Sequence, residues 1–181
     1  MNFFNKHSKI IPIFNIALLV AAFVLNLVYM LNNSLSTINV AANIICLCAI
    51  IAGLFYILKD YKKQAANYYK AYIALYVLSR LVYTIAEYSF SMTYGASYLS
   101  PILNTIVIVF GISLLLKDLG KNTSLIFAWA MLALVVIDAI LSATVYFNSI
   151  FYNAAPALST TCAAVLFVLA KYADKQSRGV K

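Results

Sequence analysis

Residues 10–31 read IIPIFNIALLVAAFVLNLVYML, a run without a single charged side chain. A helix rises 1.5 Å per residue, so about 20 apolar residues cross the ~30 Å hydrocarbon layer of a bilayer. The run is long enough. It also lacks the apolar–polar alternation that the ~10-residue strands of a transmembrane β-barrel require. Five further runs follow at 38–58, 66–88, 99–116, 124–146 and 154–171. The expected fold class is therefore all-α: a polytopic membrane bundle of six transmembrane helices in three helical hairpins, with 1–181 forming one integral membrane domain.

Composition supports the same reading. Hydrophobic residues make up 65% and charged residues 10% of the 181 positions, and mean hydropathy is +0.92. A soluble domain carries about 25% charged residues, and disordered chains are poor in apolar ones. Both classes are excluded. Pro12, Pro101 and Pro156 fall near expected helix starts, where a missing N–H costs little, and Ser100 is placed to cap the fourth span. The first run exceeds the ~7–15 residues of a signal-peptide core and has no small-residue cleavage site after it, so a retained span is expected.

Thirteen Lys and Arg residues test the threading independently. Twelve lie in or beside the N-terminal tail, the second and fourth connections and the C-terminal tail; the thirteenth, Arg80, is inside a span. Lys and Arg mark cytoplasmic loops, so both termini are expected in the cytoplasm and the protein in a cell (inner or plasma) membrane. The net charge of +8 then reflects orientation and attraction to anionic lipid. Nucleic acid is not an expected partner. Cys46, Cys48 and Cys162 all fall within spans and are read as apolar packing residues rather than a disulfide framework.

Two regularities suggest a repeat. Lys59, Lys117 and Lys171 each precede a second lysine by four residues, with Asp60, Asp118 and Asp174 in between. On the ascending helices, 17 residues beyond Lys9, Lys63 and Lys121 come Asn26, Arg80 and Asp138. These three belong to one layer in the middle or outer half of the membrane.

A charge at that depth costs at least ~2.5–3.5 kcal/mol, so Arg80 must point away from lipid. Tyr69, Tyr72, Tyr76, Arg80, Tyr83, Thr84 and Glu87 follow helical spacing and form one polar stripe. Asp138 is the expected partner of Arg80. Asn15, Ala22, Asn26 and Asn33 share a face of the first span, and Asn43 and Asn104 are further donors. Three readings of the layer stay open: a structural Arg80–Asp138 ion pair, a ligand site or permeation path, and a contact with another membrane protein. For the second, the ligand-binding residues are Arg80, Asp138, Asn26, Tyr83, Glu87 and Tyr76. Tyr76 and Tyr83 flank the guanidinium and offer ring faces to it.

Enzymatic signatures are missing. His7 is the one histidine, and neither a phosphate-cradling loop nor a dinucleotide fingerprint occurs among five glycines. No cofactor, no metal and no enzymatic activity are expected. Spans interrupted by Gly or Pro pairs are absent too, so energised uptake would need partner membrane subunits to supply the energy, with Ala17 and Ala21 as a small-residue docking face. The expected function is a solute-binding or transport component for a small anionic or zwitterionic solute. The alternative is a non-transporting protein that stabilises or regulates a partner membrane complex.

Overall fold

Where water is excluded, each backbone N–H and C=O must be paired within its own segment, and long apolar runs answer that demand as helices. The computed structural model describes residues 10–32, 37–60, 65–94, 98–116, 119–145 and 150–178. These form six helices: α1 (Ile10–Asn32), α2 (Thr37–Asp60), α3 (Ala65–Tyr94), α4 (Leu99–Leu116), α5 (Lys121–Val145) and α6 (Ile150–Arg178). Four of them are long and apolar enough to cross a membrane, over Ile13–Leu31, Thr37–Phe55, Leu99–Leu116 and Lys121–Leu141. The other two differ for visible reasons. α3 carries Lys70, Arg80 and Glu87, and the apolar stretch of α6 is the shorter Ala154–Leu169.

Each helix packs on the next in sequence, α6 returns to α1, and α3 meets α6 across the ring so formed. The expected hairpins α1–α2, α3–α4 and α5–α6 are all in contact, yet the most extensive contact joins α2 to α3, between two hairpins. Part of the interior is polar and much of the surface is apolar. Asn15, Asn26, Arg80, Thr84, Asn104 and Thr161 are buried, while Ile13, Phe14, Val24, Phe55, Ile126 and Trp129 are exposed. Such a surface is consistent with a protein solvated by lipid.

One end of the ring interior is plugged by apolar packing. Tyr72 and Phe167 meet with ring centroids 4.6 Å apart, and Leu19 and Ile50 are fully buried beside them. A Cβ on Gly53 would stand 3.1–3.3 Å from Tyr72, Leu19 and Phe167, so the glycine lets α2 approach this plug. A second close approach brings α4 to α3, where a Cβ on Gly111 would collide with Cγ2 of Val77.

Three expectations change. The N–H of Ile102 donates to Tyr98 C=O at 3.1 Å, so α4 is entered from Tyr98. Ser100 lies inside that helix and does not cap it, because its hydroxyl turns to a carboxylate on α3. Pro156 sits within α6 rather than at its start, since the helix already begins at Ile150. Part of the expected connection at 89–98 is helical, because α3 continues to Tyr94. There Ser89 and Thr93 return their hydroxyls to the carbonyls of Ile85 and Ser89, each four residues back. Asn33, Lys63, Lys117 and Asp118 lie outside the described residues, as does the side chain of Tyr69, so the expectations resting on them are not met or refused here.

The Gly111 contact yields a stability prediction. Gly111→Ala should destabilise the detergent-solubilised protein by about 1–3 kcal/mol through overpacking. Adding Val77→Ala should recover part of the loss, both read as thermal unfolding midpoints.

Candidate functional site

Beyond the aromatic plug, the ring encloses a cavity lined from five helices. Asn26 and Tyr29 come from α1, Ala42, Asn43 and Cys46 from α2, and Tyr76, Ser79, Arg80, Tyr83 and Glu87 from α3. Val135, Asp138 and Ala139 of α5 and Ala154, Pro156, Ala157 and Thr160 of α6 complete the wall. About 90 Å³ is open to the centres of water molecules. At the ~30 Å³ that each water occupies in the liquid, that is room for about three waters or a small solute. All six residues expected to bind a ligand line this one cavity, and the layer of Asn26, Arg80 and Asp138 is brought together in it.

Arg80 is 7% exposed. It reaches across the ring centre, donating from Nη2 to the Ala157 carbonyl at 3.1 Å and to Thr161 Oγ1 at 3.5 Å, both on α6. From Nη1 it donates to Oδ1 of Asn104 on α4 at 3.4 Å. Its Cζ lies 5.6 Å from the centre of the Tyr76 ring, within cation–π range. The hydrogen count around Thr161 fixes the direction of one further bond. Its hydroxyl donates to Ala157 C=O at 2.7 Å, so the Tyr76 hydroxyl, 2.7 Å away, donates to Thr161 Oγ1. Tyr72 adds a bond from its hydroxyl to the Thr160 carbonyl at 2.9 Å.

The expected Arg80–Asp138 ion pair is not formed. Among the described residues every acceptor of the guanidinium is neutral, and Asn104 stands between the two charges. The Nδ2 group of Asn104 donates to Glu87 Oε2 at 3.0 Å and to Asp138 Oδ2 at 3.4 Å, while its Oδ1 accepts from Arg80. An amide has two donor hydrogens and one carbonyl oxygen. Turned the other way, it would set oxygen against two carboxylates and NH2 against a guanidinium, so its neighbours dictate this orientation. Glu87 also accepts from Ser100 at 2.8 Å on Oε1. Asp138 is less well supplied: its Oδ1 is buried and has no hydrogen-bond partner among the described residues.

Sequence reading placed Arg80, Glu87 and Asp138 inward, but underrated the residues that hold them. Asn104 was one of several candidate donors, Ser100 a cap, and the Ser159–Thr160–Thr161 run on α6 was passed over. Ser159 and Thr160 bond back to Ala155 and Pro156 carbonyls at 2.8 Å, a habit of helical Ser and Thr that leaves them unremarkable in a sequence. The missed signal is three hydroxyls in succession following a proline within an apolar span. Asn26 donates to the Ala22 carbonyl at 2.8 Å, and Asn43 to Asn39 at 2.7 Å, so both present their remaining amide atoms from a fixed rotamer. No group of three His, Cys, Asp or Glu side chains able to hold a metal occurs among the described residues. Compared with protein-family models, curated proteins and solved structures, the chain matches none.

The central position of Asn104 is testable by thermodynamic coupling. Asn104→Leu should cost about 1.5–3 kcal/mol, the worth of hydrogen bonds to charged groups. In a Glu87→Gln background the cost should shrink by about 0.5–3 kcal/mol. Ser113→Ala, an exposed hydroxyl bonded to its own helix, serves as the neutral control in the same unfolding measurements.

Proposed function

We propose that this is a multi-pass membrane protein of six spans with both termini in the cytoplasm of an inner or plasma membrane. Its cavity binds a small anionic or zwitterionic solute as a component of a transport system. One observation carries the reading: residues from five helices converge on one cavity whose guanidinium touches no carboxylate among the described residues. A buried charge usually finds a direct counterion or a ring of dipoles. Here dipoles hold Arg80 in place while its charge remains available to an incoming anionic group. Binding, rather than catalysis, is the proposal, and any energy for uptake would come from partner subunits.

A second reading has its own support. The bonds from Arg80 to Asn104, Ala157 and Thr161 tie α3 to α4 and α6, as a structural cross-link in a partner-stabilising protein would.

Reconstitution separates the two. In liposomes the wild type should bind or move at least one member of a labelled panel of small carboxylates and zwitterions. Arg80→Gln should remain monodisperse and lose that activity by about tenfold or more, with Arg80→Lys retaining part of it. If the wild type takes up and binds nothing in the panel while Arg80→Gln lowers its unfolding temperature, the partner-stabilising reading replaces this one.

A further inference from the structure

Glu87 and Asp138 line the cavity with one guanidinium, Arg80. Beside two carboxylates and one guanidinium a simple anion would add to the excess of acidic groups, whereas a zwitterion adds no net charge and brings a cationic group to the carboxylates. The hydrogen bonds are unequally shared in the same sense. Both oxygens of Glu87 have donors, from Ser100 and Asn104. Among the described residues Asp138 accepts from Asn104 at 3.4 Å, lies near the Ser100 hydroxyl that Glu87 already holds, and has an Oδ1 without a hydrogen-bond partner. The terminal torsion of an Asp side chain is soft, so a small rotation turns that oxygen toward a donor arriving in the cavity. On the other side, Arg80 donates from Nη1 and Nη2 to Asn104, Ala157 and Thr161 and lies against Tyr76, all neutral groups. The cavity wall thus presents an unpaired acceptor at Asp138 and a guanidinium bonded only to neutral groups among the described residues.

Geometry limits how far apart the occupant's charges lie. Nη1 of Arg80 and Oδ2 of Asp138 are each 3.4 Å from the Asn104 amide. The amide oxygen and nitrogen are about 2.2 Å apart, so at most about 9 Å separates the two protein atoms. One small molecule making charge-assisted contacts of ~2.7–2.9 Å at either end therefore reaches both groups when its cationic nitrogen and anionic oxygen are a few ångströms apart. An amine and a carboxyl on one carbon meet that requirement. The rest of the wall includes Ala42, Val135, Ala139 and Ala154, which suits a short aliphatic group, and the volume of about 90 Å³ favours a small occupant.

We propose that the cavity takes a small α-amino-acid zwitterion, its carboxylate on Arg80, its ammonium on Asp138 and its side chain against the small apolar wall. The assignment rests on the cavity being a solute site and narrows the solute class from anionic or zwitterionic to zwitterionic.

Cys46 lines the cavity and provides a native reporter. In a Cys48→Ala, Cys162→Ala background, the rate of Cys46 modification by a small methanethiosulfonate is measured with alanine, propionate or ethylamine present. The last two each carry half of alanine's polar groups. Ligand-induced shifts in unfolding temperature are recorded in parallel, because occupancy stabilises the folded state whether or not the thiol reacts. Alanine should protect and stabilise at concentrations about tenfold or more below those needed for either half. Asp138→Asn should reduce alanine to the level of propionate, and Arg80→Gln to that of ethylamine. Propionate acting as well as alanine on the wild type would overturn the zwitterion assignment and leave an anion site standing. If alanine, propionate and ethylamine are all inert in both readouts, the zwitterion assignment fails, and the wider liposome panel separately decides whether any solute binds.

Discussion

A guanidinium buried where six helices converge is the constraint to which the other polar groups answer. Moving such a charge out of water costs several kcal/mol unless dipoles replace its hydration. α6 supplies a carbonyl and a hydroxyl at Ala157 and Thr161, α4 supplies the Asn104 oxygen, and Tyr76 supplies a ring face. None of these groups is charged. Solvation by neutral dipoles keeps Arg80 in place without neutralising it, a different outcome from a closed ion pair.

Asn104 makes this arrangement possible. Its amide separates the guanidinium from both carboxylates while bonding to all three. A direct pair would collapse the layer into a packed contact. A bridging amide instead leaves room beside the charges, and the cavity occupies that room. The close approach of α4 to α3 at Gly111 and Val77 belongs to the same design, since it brings the helix carrying Asn104 against the helix carrying Arg80 and Glu87.

The interior is divided along its length. Tyr72, Phe167, Leu19 and Ile50 fill one part with apolar side chains, and polar residues surround open space in the other. Tyr72 and Tyr76 join the two parts, because their rings lie in the packed region and their hydroxyls bond to Thr160 and Thr161 of α6. Pro156 lies in the cavity wall on that helix, one residue before the carbonyl that Arg80 holds.

Much of this was written plainly in the chain. Uninterrupted apolar runs set the helical class, because no other backbone form pairs its own N–H and C=O groups within a segment. The cost of a charge among apolar residues set Arg80 inward, and the helical period carried Tyr72, Tyr76, Thr84 and Glu87 in with it. Tertiary structure decided who meets whom. Charge attraction suggested Arg80 with Asp138, but partner choice depends on where neighbouring helices place their side chains, and Asn104 reaches the space between them first. Local hydroxyl bonding hid Thr160 and Thr161, since a Thr that satisfies itself on its own helix looks the same in a sequence whether or not it also receives an arginine. Periodicity depends on local geometry and is legible residue by residue; the closing of six helices into one ring, and the cavity inside it, depends on contacts between segments far apart in the chain.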